Sequence, residues 1–424
     1  NKKSFKMDFN DFISQKFHGV TKLHFNNCWS DPTFMREKIF FDYCHDQGVL
    51  APRVQYANIY MNGTFWGFYD MVEAVDKNFL DRWVDDNDGN LFKAADNFGG
   101  GGGGGGSTSE ADLNYYGATA TSYTSRYELK TNETANDWTD LIGLLDALNN
   151  GTDAEVQADL PSMFVWTPLL RSLALDNMFG NLDAYIQSAR NFYLYHDSTM
   201  LQWNWIHWDA NMAFGSYPSM GQNALTLSPY YVATNRPLMT KITTIPALRL
   251  DYQNAYCAVK ENFTNEYLDP RIDSIQVLIQ DHVNADVNKQ YTYDQFLTNI
   301  TDDITVQGGG GGGGGGQQTV RGLKSFISSR NASLASTLDC TTAGIATASA
   351  EGVRIAPNPC TDRLTIALPE GQVLKGASVT DAVGRTSTLA VSAGQVDVSA
   401  LAPGTYVLDL MTAGEHYRKR VVKY

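Results

Sequence analysis

The chain has 424 residues, 46 acidic against 32 basic, for a formal charge of −14. That length allows two or more domains with a sizeable core. The acidic balance speaks against nucleic acid and anionic membrane as main partners, because both are gripped by clustered Lys and Arg. No apolar run approaches the roughly 20 residues that span a bilayer, so no transmembrane segment is expected.

The sequence opens at Asn1 without an initiator Met or a signal peptide. It runs at once into an alternating stretch, Phe5, Met7, Phe9, which reads as a strand cut near its beginning. Asp31-Pro32 marks a helix start, with Asp as N-cap and Pro at the first helical position, and Gly48 supplies the stop. Along that helix Lys38, Asp42 and Asp46 form the wet face. Arg36 and Glu37 fall instead among Phe40, Phe41, Tyr43 and Cys44, where a charge needs a partner. Two readings stand: a salt bridge within the core, or Glu37 orienting a lysine that touches a phosphate. Further on, Asn62-Gly63 between two β-rich runs is the strongest short-range hairpin signal. Its second strand runs to Glu73, its aromatic stripe reads as core, and Asp76 caps a helix over 77–84.

Two homopolymer glycine tracts, 99–106 and 308–316, lack the Ser, Asn or Thr of ordinary linkers and carry no functional weight. Between them Thr167 and Pro168 begin a helix whose core face is Leu169, Leu170, Leu173 and Met178, and Gly180 ends it. Asn181, Asp183 and Asn191 follow. The chain then alternates over 192–195, turns at 196–199 and alternates again over 203–208, which predicts a hairpin. The start of the first strand and the end of the second share one edge. Asn191 and Asp209 are therefore expected together, with Asp183 on the loop just before. Two carboxylates and an amide suit magnesium, which prefers oxygen ligands, and magnesium with one more carboxylate is the minimal kit for phosphoryl transfer. The same residue types also serve as turn formers at strand ends.

Small residues without periodicity over 341–352 read as a linker. It separates an α+β main domain, 1–340, from an all-β module at 353–424. The five cysteines, Cys28, Cys44, Cys257, Cys340 and Cys360, show no zinc spacing. They read as buried free thiols, with one disulfide open to an extracellular chain. No Gly-x-Ser-x-Gly elbow and no glycosidase pair of acids occurs.

In order along the chain, several stretches resemble the spore-coat protein H (CotH) kinase family. They include Lys2-Lys-Ser-Phe-Lys-Met-Asp-Phe9, Asp31-Pro-Thr-Phe-Met-Arg-Glu-Lys38, Tyr60-Met-Asn-Gly-Thr-Phe-Trp-Gly-Phe-Tyr69, Asp88-Gly-Asn-Leu-Phe-Lys93, Asn191-Phe-Tyr-Leu-Tyr195 and Trp208-Asp-Ala-Asn-Met-Ala-Phe-Gly215. The resemblance implies an atypical protein-kinase-like fold that uses ATP and Mg²⁺ to phosphorylate a protein Ser or Thr hydroxyl. It implies that Lys3 or Lys6 contacts the ATP phosphates with Glu37 as helix partner, and that Arg36 and Glu73 belong to the nucleotide site, Glu73 at the adenine. Asp183 is then the catalytic aspartate, and Asp209, Asn191 and Asn211 lie on the metal side. Asn211 stands where the family usually has a second aspartate, and the family's Arg-Gly-Asn-Ser stretch before the opening strand is not in this sequence. The alternative is a catalytically inactive surface protein that binds a protein or glycan partner.

The tail resembles the C-terminal sorting domain of the type IX secretion system of Bacteroidota, through Ile355-Ala-Pro-Asn-Pro359, Asp381-Ala-Val-Gly-Arg385, Leu401-Ala-Pro-Gly-Thr-Tyr-Val407 and the basic end 418–424. It implies a small immunoglobulin-like sandwich, recognition by the secretion machinery, and a secreted or outer-membrane-surface location. Leu364, Ile366 and Leu368, with Val396 and Val398, alternate as sandwich strands require.

Overall fold

The first sheet of the main unit grows from short alternating runs. β1 (Phe5–Asp8), β2 (Lys22–Asn26), β3 (Val54–Met61) and β4 (Thr64–Glu73) pair antiparallel in the order β1-β2-β4-β3. Along β2, Leu23 and Phe25 are buried on one face, so His24 and Asn26 point to the other. Asn62 and Gly63 hold φ values of 50° and 79°, the left-handed pair that a two-residue hairpin needs.

The structure, a computed structural model, describes residues 2–84, 86–95, 110–217, 222–307, 317–340, 353–368, 372–381, 385–392, 394–412 and 416–424. Both glycine tracts and the expected linker at 341–352 lie outside them. The chain divides into two units, Asn1–Leu338 and Asp339–Tyr424.

Helix α1 (Arg36–Asp46) begins later than Asp31-Pro32 suggested. Cys28, Ser30 and Phe34 adopt positive φ, so the chain makes an irregular turn first. Asp31 still serves the helix from outside it. One carboxylate oxygen accepts from the Thr33 N–H at 2.8 Å, the other from the Arg36 N–H at 2.9 Å. Asp76 caps α2 (Lys77–Trp83) as expected, accepting from the backbone of Asn78 and Phe79.

A second antiparallel sheet runs β6-β5-β7-β8, from β5 (Asn90–Ala94), β6 (Tyr127–Leu129), β7 (Phe192–His196) and β8 (Trp203–His207). β7 and β8 are the expected hairpin, with Phe192 opposite His207. Around it lie α3 (Thr139–Asn150), α4 (Asp153–Met163), α5 (Trp166–Met178) and the short α6 (Tyr185–Ser188). The helix forecast at Thr167-Pro168 is α5, whose N-cap is Val165. Helices α7 (Pro237–Thr244), α8 (Pro246–Lys260), α9 (Asn265–Ala285), α10 (Tyr293–Thr301) and α11 (Leu323–Thr337) complete the unit. Between α10 and α11, β9 (Ile304–Gln307) and β10 (Gln317–Val320) form a separate two-stranded ribbon.

One apolar core joins both sheets and the helices. At its centre Phe179 meets Phe40, Phe214 and Phe263 edge to face, with centroids 5.2, 5.1 and 4.9 Å apart. Such tilted contacts favour the ring quadrupoles and fix α1 against the end of α5.

Among its described residues the second unit holds two four-stranded antiparallel sheets. One is β11 (Arg354–Ala356), β12 (Arg363–Ala367), β16 (Gln395–Asp397) and β15 (Val391–Ser392). The other is β14 (Thr386–Leu389), β13 (Gly376–Thr380), β17 (Gly404–Met411) and β18 (His416–Lys423). Leu364, Ile366 and Val396 from the first and Val379, Leu408 and Leu410 from the second fill one shared core, as the alternation required. Cys28, Cys44 and Cys360 are buried free thiols as read, whereas Cys257 and Cys340 are disulfide-bonded, the alternative left open for an extracellular chain.

Candidate functional site

Asn191 lies at the start of β7 and Asp209 just past the end of β8, both at positive φ (61° and 47°). The Trp208 N–H donates to the Asn191 carbonyl at 3.1 Å, which locks the two strand ends side by side. The Asn191 amide then donates to the Asp183 carboxylate at 3.1 Å and to its backbone carbonyl at 2.9 Å. Arg190 Nε stands 3.6 Å from the other Asp183 oxygen. Asp183 is thus held from two sides on its loop.

Glu37 reaches this edge from α1. Its carboxylate is buried and accepts from the Asn26 amide at 3.0 Å and from the Ala210 N–H at 3.3 Å. Burial, then the negative charge of Asp209, pushes its carboxyl up to about 8. Asp70, close enough to repel Glu37, is raised in the same way, first by burial. Raised carboxyls stabilise the fold only while protonated. That contribution is whole below the usual value near 4.5 and disappears as pH climbs through about 8. Stability is therefore expected to fall by a few kcal/mol, on the order of one per pKa unit, between about pH 5 and pH 8. Urea unfolding across that range should show Glu37→Gln flattening the slope, Asp70 leaving a remainder. A slope indifferent to the substitution contradicts the assignment.

Two lysines gather around His24. His24 and Lys6 are cross-strand partners on β2 and β1. Burial, then the charges of Lys6 and Lys93, pushes His24 down to about 4, so both lysines lie close to it. The His24 ring meets the Trp208 ring edge-on at 4.9 Å, and Tyr193 meets Trp208 at 5.8 Å. These contacts form a chain of neighbours: Lys6 and Lys93 beside His24, His24 against Trp208, Trp208 bonded to Asn191, Asn191 to Asp183, and Asp209 near Glu37.

Other expected site residues lie elsewhere. Lys3 is exposed. Of the opening lysines it is Lys2 that is buried, paired to Asp286 at 2.8 Å and donating also to the Phe68 carbonyl. Glu37 has Asn26, not a lysine, as its side-chain partner. Arg36 is a structural arginine: wholly buried, 3.2 Å from Asp31, it donates to the Asn299 side chain at 2.7 Å and the Arg321 carbonyl at 2.6 Å. Glu73 is clamped by Arg53 at 2.9 and 3.0 Å and by Arg82, so its geometry speaks against a base-binding role. Asn211 donates to the Trp29 carbonyl at 3.1 Å.

His24, Asn26, Lys93, Arg190 and Trp208 were missed as functional candidates. Lys93 and Trp208 stand inside the quoted family-like stretches. For His24 and Asn26 the signal was the strand alternation of 22–26, which gains meaning only when β2 is paired.

Among the described residues no three Asp, Glu, His or Cys side chains converge as a self-sufficient metal cage. No described helix is long and apolar enough to cross a membrane. Residues 1–334 match the family described as CotH kinase protein, and residues 354–424 match the secretion system C-terminal sorting domain. The curated "Inner spore coat protein H" of Bacillus subtilis (strain 168) is 25% identical over 296 residues, 70% of this chain and 77% of that protein. The sorting domain marks the chain for secretion or cell-surface export through the type IX machinery. The chain belongs to the CotH kinase protein family and carries a secretion sorting domain at 354–424.

Proposed function

We propose that the main unit is an ATP-dependent phosphotransferase that modifies a Ser or Thr hydroxyl of a protein outside the cell. The observation that carries this reading is that Trp208 adjoins both His24, which has Lys6 and Lys93 beside it, and the strand end that holds Asn191 and Asp183. The strand–strand–helix–strand–strand order of β1, β2, α1, β3 and β4, with a helix glutamate reaching the strand before it, is a second support. It parallels the strand-lysine and helix-glutamate pair of protein kinases, with Asn26 in the lysine's place.

The residues fit a magnesium nucleotide. Asp209, Asn191 and Asp183 offer oxygen ligands, and Glu37 is pushed toward protonation first by burial and then by the charge of Asp209, a repulsion that a cation would relieve. A site without a full protein cage suits magnesium, which takes one or two carboxylates and completes its shell with phosphate and water. Bound there, Mg·ATP supplies an activated phosphoryl group. Asp209 and Asn191 would hold it, Lys6 and Lys93 would take the phosphate charge, and Asp183 would accept the proton of the incoming hydroxyl. Arg190 and Asn191 fix the direction in which Asp183 points.

A second reading is a non-catalytic surface protein that binds a protein or glycan. It draws on Asn26 standing where a lysine belongs and on Asn211 in place of an acid. Label transfer from γ-labelled ATP, with Mg²⁺ and the full-length chain, separates the two. Label in the protein or an added polypeptide supports the transferase, and none at any ATP concentration leaves the binding role.

A further inference from the structure

The ribbon β9–β10 is joined by no third strand among the described residues, so its edges keep backbone groups outside any ladder, although the Val320 carbonyl accepts from the Asn299 amide at 2.9 Å. Against it opens a groove of about 390 Å³ walled by five primary amides, Gln290, Gln295, Gln307, Gln317 and Gln318. Ser30, Met212, Tyr291, Thr305 and Val306 close the remaining sides, and no described lining residue carries a formal charge. A smaller cavity of about 280 Å³ opens at the other flank of the ribbon and shares Gln318. Its one charged wall residue, Arg321, is paired to Asp303 at 2.5 Å.

This groove begins where the candidate site ends. Met212 is three residues beyond Asp209, and Asn211 ties that segment to Trp29. Ser30 follows Trp29 and is tied in turn to Gln290, whose side chain accepts from the Ser30 N–H at 3.3 Å. In a chain of net charge −14, an uncharged wall of amides selects against charged ligands, which lose hydration there without gaining a partner.

We infer that this groove docks the acceptor, an extended uncharged peptide that adds a strand to the β9–β10 ribbon and offers a Ser or Thr hydroxyl toward Asp183. The inference rests on the transferase reading for the fate of that hydroxyl, not for the docking. Strand edges bind peptide main chain irrespective of side chain, and Gln307 and Gln317, on the ribbon itself, add amide donors and acceptors of the kind a peptide unit pairs with. An open edge with unmet N–H and C=O groups fits a peptide better than a sugar chain, which has no such ladder to offer.

Hydrogen exchange on the full chain, without nucleotide, tests the docking alone. The probes are a capped, uncharged peptide alternating Thr, Val, Ser and Gln, matched peptides with Lys or Glu at the polar positions, and a neutral maltooligosaccharide. The uncharged peptide is expected to slow exchange of the 304–307 and 317–320 amides by about tenfold or more. The Gln290→Ala/Gln307→Ala double variant should weaken its binding by about tenfold. Equal protection by the charged peptides, protection by the sugar alone, or none on the ribbon overturns the inference. Protection of the ribbon in a protein that transfers no label leaves the groove standing and removes the transferase.

Discussion

Asp183→Ala should lower phosphate transfer roughly 10²–10⁴-fold, the usual contribution of a positioned base. Nucleotide affinity should stay within about threefold, because the residue is assigned to the hydroxyl and not to the phosphates. The reason is local. Asp183 is held by the Asn191 amide at 3.1 Å and approached by Arg190 at 3.6 Å. That orientation is of use only if something approaches the carboxylate. Asp183→Asn keeps the shape but not the basicity, so it should lose as much activity while melting close to the wild type. Label-transfer rates at saturating ATP, beside a melting curve, decide the matter. An Asn variant with wild-type rates would remove Asp183 from the chemistry.

Asp209→Ala should abolish metal-dependent nucleotide binding. Loss of residues that merely support a metal ligand commonly costs 10–100-fold, so loss of a ligand itself should cost at least about that much. A second consequence sets this variant apart from simple misfolding. Asp209 is the foremost charge that raises Glu37, after burial. Without it Glu37 ionises more readily in the fold, and less stability is lost on going to pH 8. The variant should therefore lose function and yet resist urea better than wild type at the alkaline end. Loss of both stability and binding there would contradict the placement of Glu37 beside Asp209.

Much of this was legible in the sequence, for physical reasons that can be named. Asn62-Gly63 announced its hairpin because only residues tolerant of left-handed φ close so tight a turn. The β7–β8 hairpin was legible from alternation, and with it the joining of Asn191 to the Trp208–Asp209 end. Leu364, Ile366 and Val396 disclosed the tail's two-sheet core by the same period of two. What failed was long-range. Arg36 and Glu37 are neighbours on one buried helix face, and no local rule tells which meets the site. Arg36 found Asp31, Asn299 and Arg321, the last two more than 260 residues away, whereas Glu37 found Asn26 and Ala210. Lys2 is buried while Lys3 and Lys6 are exposed for the same reason. A strand's alternation separates its two faces but does not say which face the rest of the chain will cover. The start of α1 slipped because the positive-φ turn at Ser30 and Phe34 is invisible to a capping rule that assumes Pro at the first helical position.

If Asp183, Asn191 and Asp209 hold a magnesium nucleotide with Lys6 and Lys93 at its phosphates, ATP binding must depend on the metal. Calorimetric titration of ATP into the full-length chain, first with Mg²⁺ and then with EDTA, tests it most directly. The account expects a saturable heat at one nucleotide per chain that disappears when the metal is removed. Heat that persists unchanged in EDTA, or none in either buffer, would contradict it.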